Sequence, residues 1–264
     1  MNCFICGGEM RPYFSKVFNT YNLGNVEYCR CVNCGFVLSK THAEMSTREW
    51  ELLNDQYHRS YHGSDSCPDD ANWVPRLKCQ ARTIHELVKV RILPTKLPWV
   101  DYGSGDGKLA DMLTQNMKLK VNKFDKYSKQ EDVLSYEALI GRKYSVVINC
   151  SVFEHILSLA SLQEITSLVA DDGVLALHTL ARGEIPKDPG WFYLLPVHCA
   201  FYTNRSMEIL FAKLGFNASV YHVDSRMWFW FRKNADRVCQ ILQRQKNRMK
   251  GEYHFKFGFV DYWK

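Results

Sequence analysis

Apolar residues recur along this chain with two different periods. Leu77, Ala81, Ile84, Val88 and Ile92 fall at helical spacing, which predicts a helix over 75–93 that stops before Pro94. "REWELLNDQYHRSY" (Arg48–Tyr61) reads as a second helix, and "GSDSCPDDANW" (Gly63–Trp73) as a turn-rich linker. After Pro98 short apolar runs alternate with amphipathic ones. Strands are expected at "WVDY", at "VNKFD", at "YSVVINC" (Tyr144–Cys150) and at "GVLALHT" (Gly173–Thr179). Helices are expected at 107–117, 128–140 and 204–214, with helical pieces across 152–170. The stretch 181–203, with three prolines, reads as irregular. "FNASVYHV" and "RMWFWFRK", joined by a tight turn, read as an antiparallel hairpin at a sheet edge. This alternation implies an α/β fold: an open, mostly parallel sheet with helices on both faces.

Residues 1–40 break the pattern. They hold five of the ten cysteines and show no helical period. Cys3-x-x-Cys6-Gly and Cys31-x-x-Cys34-Gly are matching knuckles separated by 24 residues, room for a small β-ribbon. Two Cys-x-x-Cys pairs can close a tetrahedral four-thiolate site, the pattern of structural zinc. A redox dithiol or incidental free cysteines are the lesser alternatives. Cys29 makes no knuckle with Cys31 or Cys34. So small a segment has little core of its own, and zinc would supply much of its folding energy. The chain thus divides into a zinc-ribbon segment (1–40), a helical linker region (41–93) and an α/β domain with a C-terminal tail (94–264).

A length of 264 residues at 46% hydrophobic content suffices for one large domain plus a small one. The net charge of +6 is compatible with an anionic partner but reads first as a solvated surface. No apolar run reaches the ~20 residues of a membrane span. The start "MNCFICGGEM" lacks the layout of a signal peptide. A cytoplasmic protein with unpaired cysteines is the expectation. Nothing in the sequence speaks to oligomeric state.

Between the first strand and its helix lies Asp101-x-Gly103-x-Gly105-x-Gly107. Glycines admit positive φ and let backbone approach a ligand. The helix that follows offers unpaired N–H groups and a positive dipole end. Dinucleotide loops instead read G-x-G-x-x-G. This spacing resembles motif I of the class I S-adenosylmethionine-dependent methyltransferases, a Rossmann-like fold, and the resemblance covers about 98–233. It implies that Asp101, Gly103, Gly105 and Gly107 hold S-adenosylmethionine, with Asp125 on the ribose hydroxyls and Cys150 and Ser151 beside the cofactor. Phe153-Glu154-His155 fits the family's "V-x-E-H" stretch, and "LVADDGVLALHT" its turn and fifth strand. There is a departure. Only 18 residues separate Asp125 from Tyr144, so the family's third strand must be very short or missing. The acid that follows it is unassigned, Asp132 being a poor candidate. A valine at Gly103 is expected to block the cofactor while leaving the fold intact.

The order of ribbon, "DQYHRSYHG" and class I domain is similar to a group of bacterial methyltransferases acting on sugars, glycan precursors and natural products. Related sugar C-methyltransferases carry a further large domain, for which this chain ends too early. The resemblance implies methylation of a hydroxyl on a glycan or other small-molecule acceptor. His198 lies in a stretch like the family's "P-x-H-x-x-F-[ST]" and His155 follows the fourth strand, so either can serve as base. His178, mid-strand, is the weaker candidate. Ubiquinone-pathway and small-RNA relatives of the motif bind a divalent metal with Glu and His, which admits a metal at Glu154 and His155. The tail "GEYHFKFGFVDYWK" could stack on a sugar or base, but reads better as a packed strand or cap. Two rivals remain. One is an RNA methyltransferase gripping nucleic acid through the ribbon, although before Lys40 the ribbon has just three basic residues, Arg11, Lys16 and Arg30. The other is a non-catalytic binding module.

Overall fold

The computed structural model describes residues 1–59, 73–128 and 130–261. The linker expected at Gly63–Trp73 lies outside the described residues except for Trp73. In chain order the elements are β1 (Met10–Phe18), β2 (Gly24–Cys31), β3 (Val37–Ser39), α1 (Lys40–Ala43), α2 (Thr47–Arg59), α3 (Trp73–Lys89), β4 (Trp99–Tyr102), α4 (Lys108–Met117) and β5 (Val121–Phe124). They continue with α5 (Tyr136–Ile140), β6 (Tyr144–Cys150), α6 (Leu159–Ser167), β7 (Val169–His178), β8 (Ala181–Arg182), β9 (Ala200–Thr203) and α7 (Asn204–Lys213). The last are β10 (Ala218–His222), β11 (Met227–Phe231), α8 (Ala235–Gln245) and β12 (Tyr253–Lys256).

Seven strands form the large sheet in the order β12-β10-β11-β7-β6-β4-β5. Strands β4 to β7 within it are parallel and the other three antiparallel. Because strand side chains alternate between faces, each face builds its own core. Val146 and Ile148 point to the layer of α3, α4 and α8, where they meet Ile84, Leu113 and Val238. Val147 belongs to the opposite core, with Leu162 and Ile165 of α6 and Leu210 of α7. The helix α3 therefore packs in the same layer as α4. Its apolar stripe Leu77, Ala81, Ile84 and Leu87 is buried there.

Three expectations are corrected. The helix expected over 128–140 is confined to Tyr136–Ile140. Before it, Val133 makes a single parallel bridge to Lys123, all that stands among the described residues where a third parallel strand would lie. Ser135 caps the short helix by accepting from the Ala138 N–H, which fixes its start. The β10–β11 hairpin is not the edge either. The tail adds β12 outside β10, pairing Val220 with Phe255 and covering the hairpin. Finally, 181–203 is not wholly irregular, since it ends in β9.

That strand joins the two parts of the chain. The small sheet has the order β1-β2-β3-β9-β8, with Val37 opposite Phe201 and Leu38 opposite Ala200. The ribbon's apolar residues continue into the large sheet's core: Ile5, Phe36 and Leu38 share a cluster with Tyr202, Met207 and Leu210. No helix among the described residues is long and apolar enough to cross a membrane.

Candidate functional site

The loop after β4 is held from below. Gly103 and Ser104 donate to the Phe124 carbonyl at 2.8 and 3.1 Å, and Gly107 donates to Ser104 at 2.8 Å. Gly103, Gly105 and Gly107 have φ of +76°, +52° and +73°. Only glycine adopts such angles freely, but the three differ in what a side chain would meet. A Cβ at Gly103 would lie 2.4 Å from Val152, and one at Gly107 would lie 2.6–2.8 Å from the Lys123 side chain. One at Gly105 would meet nothing within 4 Å. Valine at Gly103 would thus strike protein, contrary to the expectation of an intact fold. Gly105 is the position left open.

Asp125 follows β5 and is fully engaged with backbone. One carboxylate oxygen accepts from Gly105 at 2.9 Å, the other from Tyr127 and Ser128 at 2.8 and 3.1 Å. It shapes the loop as well as facing the cavity. Asp101, at the end of β4, is buried, and burial together with the Asp125 charge raises its carboxyl to about 7. Asp132 is held by Lys123 at 2.7 Å, which also pairs with Asp111 at 2.8 Å. It is engaged by Lys123 and does not line the cavity that Asp125 faces.

These loops open on a cavity of about 920 Å³ at the carboxyl ends of the parallel strands. Asp101, Gly103, Gly105, Asp125, Cys150 and Ser151 all line it, whereas Gly107 and His198 do not. Ser151 adopts a φ of +57°, costly for a non-glycine residue. Its N–H donates to the His178 carbonyl at 2.8 Å, and its hydroxyl lies 3.3 Å from His178 Nδ1. Burial, with Arg76 and Arg226 adding to it, keeps His178 well below its usual pKa.

One wall was not foreseen. Helix α2 lays Thr47, Trp50, Asn54 and His58 along the cavity at helical spacing. His58 comes within 5.5 Å of His155, ring to ring, and stacks on Tyr127. The spacing of the four was legible as one face of a helix, but nothing local said which face would be covered. At the far end Glu164 of α6 and Tyr136 of α5 line the cavity.

His155 lies on the cavity and His198 behind it, with ring centroids 4.9 Å apart and planes perpendicular. Burial holds His155 well below its usual pKa, helped by the neighbouring imidazoles of His198 and His58, so the ring is neutral at pH 7. Its Nδ1 has no hydrogen-bond partner among the described residues. His198 Nδ1 lies 2.9 Å from the Tyr193 carbonyl. Ligand atoms of Glu154, His155 and His198 lie within 4.8 Å of one another. Both Glu154 oxygens, however, already accept hydroxyls, from Tyr193 at 2.6 Å and Thr179 at 3.0 Å.

At the other end of the small sheet Cys3, Cys6, Cys31 and Cys34 converge, all four sulfurs lying within 4.8 Å of one another. Cys3–Cys34 and Cys6–Cys31 sulfur distances are 3.7 and 3.4 Å. Thiolates at ~2.3 Å from a tetrahedral ion would be about 3.8 Å apart, so the set fits a zinc ion. The knuckles share one construction. Gly7 donates to the Cys3 carbonyl and Gly35 to that of Cys31, at 2.8 and 3.1 Å, with φ of +76° and +71°. Cys29 is buried in β2, outside the cluster.

Residues 71–220 match the family described as "Methyltransferase domain". No curated protein sequence matches the chain. Among solved structures the chain is similar to magnesium protoporphyrin IX methyltransferase from Synechocystis PCC 6803 with bound S-adenosylhomocysteine. The two are 19% identical over 69% of this chain and 95% of that one, with a TM-score of 0.44. Phosphoethanolamine N-methyltransferase 2 of Haemonchus contortus, in complex with phosphomonomethylethanolamine and S-adenosylhomocysteine, is 14% identical over 90% of this chain and 58% of that one, TM-score 0.46. Human N-acetylserotonin methyltransferase in complex with S-adenosylmethionine is 13% identical over 71% and 68%, TM-score 0.40. These are distant likenesses and say nothing about an acceptor.

Proposed function

This chain belongs to the methyltransferase-domain family, and from that premise we propose that, as an S-adenosylmethionine-dependent methyltransferase, it O-methylates a sugar, a glycan precursor or another small-molecule hydroxyl. The observation that carries the reading is Gly105: a left-handed loop residue open to the cavity, beside Asp125, with His155 lining the same space. When bound, S-adenosylmethionine supplies an electrophilic methyl group on a sulfonium sulfur. Asp101 and the glycine loop would hold its amino-acid part, Asp125 its ribose hydroxyls, and Cys150 and Ser151 would border it.

An acceptor hydroxyl must lose a proton as its oxygen gains the methyl carbon. A neutral imidazole is suited to take that proton, and His155 is kept neutral by burial. His198, packed against it, is the second candidate. The four cysteines would hold a structural Zn²⁺ with no ligand position left open. The ribbon then braces the segment that carries His198 behind His155. Tyr13, Lys16 and Ser39 donate to the carbonyls of Ile185, Leu194 and Cys199 at 2.8–2.9 Å. Unpaired thiols of this kind suit a reducing compartment, the cytoplasm.

The test is calorimetric binding of S-adenosylhomocysteine, followed by transfer of labelled methyl from S-adenosylmethionine to a panel of glycans and hydroxylated small molecules, with tRNA alongside. Label in a hydroxyl of the small acceptors supports the proposal. Label in tRNA, with a steep salt dependence, would replace it with the RNA reading. Absence of cofactor binding would leave a binding module.

A further inference from the structure

Glu154 is 1% exposed, a place where a carboxylate needs strong partners. Its partners are hydroxyls. Tyr193 donates to one oxygen at 2.6 Å and Thr179 to the other at 3.0 Å. Its own main-chain carbonyl accepts from the Cys199 N–H at 2.9 Å. One residue therefore ties the turn after β6 to the end of β7, and to two points of the segment leading to β9.

His198 lies between those two points. Its ring packs 4.6 Å from the Tyr193 ring and 4.9 Å from that of His155. A carbonyl can only accept, so the bond at 2.9 Å to the Tyr193 carbonyl puts a proton on His198 Nδ1. In that tautomer Nε2 is the nitrogen that would carry the lone pair. Tyr193 is thus held at both ends, its hydroxyl by Glu154 and its carbonyl by His198. His155, the residue after Glu154, sits against the same imidazole.

We infer that Glu154 is a positioning residue: its carboxylate, by holding the Tyr193 and Thr179 hydroxyls, fixes the tautomer and orientation of His198 and, through the ring packing, the orientation of His155. The use of that pair as a base rests on the function proposed above; the positioning itself does not. A carboxamide at 154 offers one accepting oxygen for two hydroxyls, so the Tyr193 anchor weakens. Removing the Tyr193 hydroxyl breaks the same link from the other side.

The experiment is nitrogen NMR of the histidine rings in the full chain, with ¹⁵N-labelled histidine, for the native protein and for Glu154→Gln and Tyr193→Phe. The native protein is expected to show His198 as one neutral tautomer protonated at Nδ1. In both variants the tautomer ratio should shift by roughly five- to tenfold, the worth of one neutral hydrogen bond. Binding of S-adenosylhomocysteine should stay within about twofold, since a carboxylate that only orients histidines leaves the glycine loop alone. If Glu154→Gln does not fold, Tyr193→Phe carries the test. An unchanged His198 tautomer in the folded variants overturns the inference. So does saturable Mn²⁺ broadening of both rings in the native protein that disappears in Glu154→Gln, which would make the carboxylate a ligand. A native protein that binds no S-adenosylhomocysteine would instead sink the functional reading and leave the positioning to be judged by the ring signals.

Discussion

Strands β6 and β11 at the middle of the large sheet bury nearly every side chain, while β1 at the rim of the small sheet alternates exposed and half-buried positions. The large sheet is packed on both faces by helices and by the small sheet itself, and apolar burial holds it. The small sheet has a modest core, Phe18, Val26, Tyr28 and Val37 against Ile185 and Trp191, and depends on its cysteine cluster and on pairing with β9. The cavity lies at the carboxyl ends of the large sheet's strands, and the small sheet holds the segment that carries His198, which packs behind His155 of the cavity wall. The two should therefore break independently, with different consequences for chemistry.

The largest effect is expected at the cluster. Metal analysis of the native protein should give about one zinc per chain, and Cys34→Ser should lose it. Hydrogen exchange should then show amide protection collapsing in 10–39 and 181–203 while β4 to β7 stay protected. No metal under reducing conditions, or uniform loss of protection in both sheets, would erase the distinction drawn here.

Next come the imidazoles. His155→Ala or His198→Ala should lower kcat by ~10²–10⁴-fold with cofactor affinity little changed. Turnover with the true acceptor is the measurement, and near-normal rates in both would remove them as bases. Gly105→Val tests the large sheet's own loop. Affinity for S-adenosylhomocysteine should fall by about 10²-fold or more, since a branched side chain occupies the open cradle. The melting temperature should move by no more than a left-handed valine costs, roughly 1–2 kcal/mol. Gly103→Val should do the reverse and destabilise the fold through its clash with Val152.

The smallest effect concerns Asp101. Its carboxyl is raised in the folded state, from 3.8 to about 7, so the folded chain holds a proton that the unfolded chain releases. Its contribution to stability is fully present below pH ~4 and is lost as pH rises towards 7. A cationic cofactor favours the ionised form, so affinity for S-adenosylmethionine should rise roughly tenfold between pH 6 and 8. The Asp101→Asn variant should lack that component, and identical pH profiles for the two would dissociate Asp101 from the cofactor.

Much of this site is readable in the chain because it is local. The spacing Gly103, Gly105, Gly107 predicts left-handed loop residues, and all three have positive φ. What each glycine is for was not readable. Val152 and Lys123, which decide that Gly103 and Gly107 serve protein packing, come from other loops. Asp132 was doubtful from spacing alone, but its engagement by Lys123 across the bridge at Val133 became plain only when those elements met.

By itself the sequence determined the strand–loop–helix at 99–117, the two cysteine knuckles and the amphipathic stripe of α3. Each follows from rules that act over two to four residues: backbone sterics at glycine, thiolate reach, and apolar period. Tertiary structure alone decided that β3 pairs with β9 more than 160 residues on, that α2 turns its polar stripe to the cavity, and that Glu154 spends both oxygens on Tyr193 and Thr179. Such choices depend on which buried polar groups find partners and which faces find cover. Those are properties of the packed whole, with no period or motif to announce them.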